Sequence, residues 1–429
     1  MLRRIARAGL ARVRRSLRGT RLDPGLDLVN IWSGQSSAAA TASYWPRAEV
    51  ERIRRGLTEG ATIFGLLRTE IAIGEAARRL TRAIRTTPYP CATRTISIPE
   101  VFKEPIAFEA DDALRQFDTA LLVFNADTLV NLLRADKIVP RDLVGRRRIG
   151  FWHWELPVFP ANFAPAFDLV DEIWAPSTFV AASIAPLTAK PVRIVPHAVP
   201  SPEIDRAQAR RELDLPADAM IYLTTFDFNS RLARKNPLGA IRAFRDAFPS
   251  PHESGPILVV KCHGQNNFPE SYREIKAQCD ADPRIRLITE IFSSERISLL
   301  QAACDALISL HRGEGFGLNP AECMALGKIV IATAFSGNMD FMNAGNSLLV
   351  PYQPRPLEKD EYIFGDGQWW AEPDHAAAVE ALRRAASRAS DVLRLAENAR
   401  TQMRRDYSYE QIGRIAVEAL RGTRKPFVP

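Results

Sequence analysis

Short apolar runs alternate with longer stretches of helical period along most of this chain. The runs at residues 61–67, 120–124, 148–152, 192–199, 219–225, 256–261, 285–288, 306–310 and 328–332 are rich in Val, Ile, Leu and Phe. Runs of that length and composition read as strands buried on both faces. Between them lie helical stretches: GEAARRLTRAIR at 74–85, a segment at 178–184, one opened by Pro237, an arginine-rich region at 374–405 and a last helix at 409–421. Strand–helix alternation of this kind predicts parallel sheets covered on both sides. At 429 residues the chain exceeds what one core usually holds, about 250–300 residues. We therefore expect an α/β protein of two Rossmann-like domains facing a cleft. The boundaries read as 1–59 for a basic helix and linker, 60–205 for the first domain, 206–405 for the second, and 406–429 for a terminal helix and tail. Residues 197–218 read as the hinge, and the compact part is expected to start near Ala61.

The densest chemistry lies in HRGEGFGLNPAECMALGKIVIAT, from His311 to Thr333. A strand ends at about Leu310, and Gly313, Gly315 and Gly317 soften the bend that follows. Asn319 reads as an N-cap, Pro320 as the first helical residue and Gly327 as the helix stop. Loops beyond the carboxyl ends of strands are where open α/β sheets bind ligands. Glycines there allow close backbone approach, and a helix start attracts an anion. Two carboxylates, Glu314 and Glu322, mark the unit with E-x7-E spacing. Glu322 also fits a capping box with Asn319. Glu314, between two glycines, has no such structural reading.

EGFGLNPAE, followed by MALGKIVIAT and a later Ser336-Gly337-Asn338, resembles the donor-binding signature of glycosyltransferase family 4. These are retaining enzymes of the two-domain GT-B fold whose last helix crosses back to the first domain. The resemblance implies that Glu314 holds hydroxyls of the donor sugar and Glu322 the nucleotide ribose. It places the backbone from Gly315 through Phe316, Gly317 and Leu318 against the diphosphate. The family pattern R-L-x-x-x-K is matched at Lys235, but its arginine falls on Ser230, so either Arg231 or Arg234 stands in or the contact is lost. Arg68 and Gly74, in the loop after the first strand, would face the cleft. His153 or Glu155, in the aromatic HWELP string, would face the acceptor, with His153, Lys235 and Glu314 as the catalytic set. The implied partners are a nucleotide sugar and a saccharide or lipid-linked acceptor, as in polysaccharide or lipopolysaccharide synthesis. No cofactor or metal is implied. Asp280-Ala281-Asp282 reads as a turn before Pro283.

Composition narrows the class further. Five scattered cysteines, without C-x-x-C spacing, fit reduced thiols in a cytoplasmic protein. The net charge of +7 is concentrated at the amino end, where residues 1–21 hold arginines and no acid. Basic residues interleaved with aromatics along a face are lacking, which argues against nucleic acid as a partner. Leu2, Ala6, Leu10, Val13 and Leu17 would line one face of a helix. Three readings stay open for it: an anchor on anionic membrane, a solvated tail, and a transit peptide. Residues 352–374, with two adjacent tryptophans, read as an insertion that covers the cleft or packs as a surface loop.

Overall fold

The computed structural model describes residues 47–69, 71–97, 106–111, 116–135, 137–250, 255–359 and 361–428. The basic segment 1–21 and the rest of the chain up to residue 46 lie outside them. The first domain starts earlier than its hydrophobic pattern suggests. A charged helix, α1 (Arg47–Arg55), precedes β1 (Thr58–Gly65). The strand gains three residues because its polar start pairs with Phe117 at Thr58. Then follow α2 (Ala72–Arg85), β2 (Cys91–Thr95), β3 (Phe117–Leu122), α3 (Ala126–Arg134), β4 (Arg147–Phe151), β5 (Glu172–Ala175), α4 (Thr178–Ile184) and β6 (Val192–Ile194). The six strands form one parallel sheet in the order β2-β1-β3-β4-β5-β6.

The second domain opens with α5 (Arg206–Glu212), inside the stretch read as hinge. Arg210 pins it there: its Nε donates to Ala303 O at 2.9 Å and its Nη2 to Asp305 at 2.8 Å. After it come β7 (Ile221–Asp227), α6 (Pro237–Ala247), β8 (Ile257–His263), α7 (Pro269–Asp280), β9 (Ile285–Ile288), α8 (Ser294–Ala303), β10 (Ala306–Ser309), α9 (Leu318–Ala325), β11 (Ile329–Thr333) and β12 (Leu348–Val350). This sheet is parallel too, in the order β12-β11-β10-β7-β8-β9. Counted within the domain, that is the doubly wound order 3-2-1-4-5-6, and the winding reverses between β7 and β10.

The 352–374 insertion is an antiparallel hairpin, β13 (Tyr352–Pro356) and β14 (Trp369–Pro373), carrying a loop between its strands. Trp370 is fully buried and joins the core of the first domain with Trp152, Trp154, Phe159 and Phe163. Helices α10 (His375–Ala386) and α11 (Ser390–Asp406) complete the second domain. The last helix, α12 (Tyr409–Leu420), returns to the first domain and packs along α2. Ala416, Ala419 and Leu420 enter the core around Ile63, Leu80 and Trp174. Arg147 locks the crossing by donating to Leu420 O at 2.5 Å.

Candidate active site in the interdomain cleft

The reversal between β7 and β10 brings two loops together at the carboxyl edge of the second sheet. The loop after β7 carries residues 228–236, and the loop after β10 carries residues 310–317. Asn236 ties them. It sits at φ +50°, a left-handed conformation that asparagine tolerates. Its Oδ1 accepts the Gly239 N–H at 3.2 Å, capping α6, and its Nδ2 donates to Leu310 O at 3.0 Å. One N–H at the start of α6 is thus capped by the chain itself.

Glu314 lies at the centre. Its carboxylate pairs with the Lys235 ammonium and stands 3.3 Å from Arg234 Nη1. Burial alone would raise its pKa; the two cations outweigh that and bring it down to about 2. Its backbone is held as firmly. The Glu314 N–H donates to Ser336 Oγ at 2.8 Å, and the Gly337 N–H donates to Glu314 O at 2.9 Å. Ser336 adopts φ +77° and ψ −151°, a region that glycine normally occupies.

The three candidate cations separate by environment. Arg234 is buried and engaged by the protein. It donates to Gly313 O at 2.8 Å and Ser230 O at 3.2 Å, and it lies 6.0 Å from the centre of the Tyr362 ring. These contacts hold the two site loops together around Glu314. Arg231 is exposed at φ +64°, a strained position for a side-chain-bearing residue. Lys235 lies between them, its side chain 18% exposed and paired with Glu314.

Helix α9 begins two residues earlier than its capping pattern suggests. Gly317, at φ +96°, is the N-cap, and no side chain caps the first turn. Asn319 is inside the helix, so the Asn319–Glu322 capping box does not form. Glu322 instead accepts from Arg79 of α2 and, at 2.6 Å, from Gln301 Nε2. Phe316 is buried against Phe341 and Tyr407. The backbone at Gly315 is therefore fixed from both sides. Ser177 Oγ, from the first domain, donates to its carbonyl at 2.6 Å.

The first domain meets this loop with its own strand ends. A Cβ on Gly313 would collide with Glu155 O, and one on Gly315 would lie 3.3 Å from Trp154 O. The HWELP string and the glycine bend thus touch along their backbones. Glu155 turns to the second domain, where Tyr362 Oη donates to its Oε2 at 2.7 Å. His153 turns inward. Its N–H donates to Asn125 Oδ1 at 3.1 Å, its Nδ1 faces the same oxygen at 3.3 Å, and its Nε2 is 2.9 Å from His197 Nε2. His197 then rests edge-on against Phe316, 5.2 Å between ring centres. Burial lowers the His153 pKa to about 4. Both histidines are neutral at pH 7.

Arg68 is exposed in the turn after β1, and its carbonyl accepts the Ile106 N–H at 3.0 Å. Gly74 is in the first turn of α2, and a Cβ there would sit 2.5 Å from Thr69 O and 2.7 Å from Leu66 O. Close helix–loop packing accounts for this glycine. Asp282 pairs with Arg284 and Asp280 with Lys276, which accounts for the D-x-D as a turn. Among the described residues, no group of three or more His, Cys, Asp or Glu is placed to hold a metal. None of the described helices is long and apolar enough to cross a membrane.

The segment from Thr224 to Gln402 contains both site loops. Residues 224–402 match the family model of glycosyl transferases group 1. Lys235, Glu314 and Glu322 all fall inside the group 1 match. The fold as a whole is that of the GT-B glycosyltransferases. HepE from Anabaena, solved in complex with UDP and glucose, aligns at a TM-score of 0.60 and 12% identity, over 85% of this chain and 100% of that one. Sucrose-phosphate synthase from Thermosynechococcus elongatus aligns at 0.60 and 16% identity, over 85% and 99%. WaaG, a glycosyltransferase involved in lipopolysaccharide biosynthesis, aligns at 0.55 and 13% identity, over 84% and 100%. No curated protein matches the chain by sequence.

His197, Asn125, Arg79, Asn236 and Tyr362 complete the cleft, and sequence reading had singled out none of them. Only His197 carried a visible signal, as a histidine between two strand-like apolar pairs in VRIVPHAV.

Proposed function

We propose that this protein is a glycosyltransferase that moves a sugar from a nucleotide-sugar donor to a hydroxyl of a saccharide or lipid-linked acceptor. The observation that carries the reading is the meeting of Lys235 and Glu314. It occurs at the winding reversal of a doubly wound sheet, inside the segment that matches group 1 glycosyl transferases. Ligands of open α/β sheets bind at that reversal.

In this reading the donor diphosphate lies against the uncapped start of α9, with Lys235 and the exposed Arg231 meeting its charge. Breaking the glycosidic bond to phosphate develops negative charge on the leaving oxygen. Fixed donors aimed at such charge supply about 3–4 kcal/mol each in an acyl-transfer oxyanion hole, and a similar scale applies here. No metal is needed for this step. Glu314, ionised and locked by Ser336 and Gly337, orients the sugar by accepting from its hydroxyls. Glu322 holds one donor on each oxygen, Arg79 and Gln301, and keeps lone pairs for a ribose hydroxyl. Retention at the anomeric carbon follows if incoming and leaving oxygens share one face of the sugar. A role in polysaccharide or lipopolysaccharide synthesis at the cytoplasmic membrane surface fits the kinship with WaaG-like folds.

The test is a panel of nucleotide sugars, with nucleotide release read with and without oligosaccharide acceptors. We expect acceptor-dependent release with at least one donor, and loss of at least a hundredfold in Glu314→Gln, a variant that keeps the side-chain shape. Turnover of that variant near the wild-type rate would remove Glu314 from the site. Proton NMR of the product's anomeric signal decides retention.

A further inference from the structure

Two carboxylates, one from each domain, flank the same pair of cations. Glu314 already holds Lys235 and Arg234. Glu155, from the other domain, stands beside them: its carbonyl lies where a Cβ on Gly313 would sit, Gly313 O accepts from Arg234 Nη1 at 2.8 Å, and Arg234 lies 6.0 Å from the ring of Tyr362. Glu155 Oε2 instead takes a 2.7 Å hydrogen bond from the Tyr362 hydroxyl. Were Glu155 to turn onto Lys235, that ammonium would face two anions before any ligand arrived.

Tyr362 reaches this place on the loop between β13 and β14. The loop is fastened to the first domain at three points. The Tyr362 ring packs edge-on against Trp154 at 5.7 Å, and Phe364 packs against Phe163 at 5.2 Å. The Val158 N–H donates to Gln368 Oε1 at 3.1 Å. Phe364 adopts φ +51°, a conformation that bulky residues avoid unless their surroundings impose it. The loop is thus shaped to deliver the Tyr362 hydroxyl to Glu155.

We infer that Tyr362 is a positioning residue of the donor site: by tethering Glu155 it keeps a second carboxylate off Lys235 and leaves that ammonium to the leaving diphosphate. This rests on the proposed function, because it takes the diphosphate to be Lys235's ligand. A partly buried carboxylate that loses its hydrogen-bond donor turns to the nearest cation.

Isothermal titration of UDP, GDP, ADP and inorganic pyrophosphate into wild type, Tyr362→Phe, Glu155→Gln and the double variant tests it. Phenylalanine keeps the ring contact with Trp154, and a melting curve checks that fold. We expect Tyr362→Phe to weaken diphosphate binding about tenfold, on the scale of a hydrogen bond to a charged group. Glu155→Gln should bind at least as tightly as wild type, and the double variant should return to the wild-type affinity. Equal binding by wild type and Tyr362→Phe would overturn the inference. So would a double variant as weak as Tyr362→Phe, since the tyrosine would then act through packing alone. If pyrophosphate follows the expected pattern while no nucleotide binds wild type, the tether stands and the donor reading falls. Binding of none of the four to wild type would remove both.

Discussion

His153 shows how two side chains settle each other's protons. Asn125 Oδ1 accepts from the His153 backbone, so the ring nitrogen facing that oxygen is the protonated one. Nε2 of His153 then accepts from His197, and the 2.9 Å between them holds one proton. Burial and this arrangement keep the imidazole neutral down to about pH 4, against an ordinary value of 6.5. The unfolded chain binds protons in that window and the folded chain does not. The pair's contribution to stability is therefore fully present above pH 6.5 and is lost as pH falls toward 4. His153→Asn should flatten the fall in melting temperature between pH 6.5 and 4.5. An unchanged slope would mean that another group sets it. The same residue marks a limit of sequence reading. HWELP announced an aromatic, ionisable corner, but its spacing could not say that His153 turns inward and Glu155 outward. That is decided by Asn125 and Tyr362, which are 28 and 207 residues from their partners. Glu314 stood out because a motif and a glycine bend bracket it, and Lys235 because it matches the lysine of a family pattern. Two of Arg234's partners are the backbone carbonyls of Gly313 and Ser230, which leave no trace in composition.

The elements themselves were mostly readable from apolar period, and their ends were not. The β10 run, the β11 run and α4 appear where the pattern puts them. Helix α9 starts at Leu318 rather than after Asn319, because Gly317 takes the left-handed turn that lets the loop enter the helix. Strand β2 escaped notice because CATRT is short and half polar, yet it pairs with β1 along five residues. Helix α12 was readable as a helix, but its docking depends on Gly413. A Cβ there would collide with Ala83 O of α2 and lie 2.8 Å from Thr86 Oγ1. Gly413→Ala should force the two helices apart. Overpacking of this kind typically costs about 1–3 kcal/mol. In a protein of this size that lowers the melting midpoint by several degrees, which scanning calorimetry would read. A melting midpoint equal to wild type would show that α12 shifts without strain.

At the scale of the whole molecule, the two domains meet through the apolar packing of Trp370, Tyr362 and Phe364 on the first domain, and through polar contacts around the site. Arg79 of α2 bonds Glu322 of α9, Ser177 bonds Gly315, and the Thr178 N–H donates to Asp340 Oδ2 at 2.7 Å. Arg79 is the most committed of these, since it also holds Glu75 and Ala198 O. Interfaces between domains of one chain are by default able to move. Breaking the Arg79–Glu322 bridge should therefore loosen the closed arrangement. Arg79→Met keeps the volume and removes the charge; small-angle scattering of that variant should give a larger radius of gyration than wild type. The same radius in both would show that the remaining contacts suffice.

The crossing of α12 to the first domain also bears on how the chain is born. The Ala83, Leu80 and Ile84 side of α2 is finished only by residues 409–420. During synthesis the first domain leaves the ribosome with that greasy flank bare, and it stays bare until residues 409–420 have emerged. Truncation just before Ser408 would leave the leading half permanently unsealed, a natural client for chaperones.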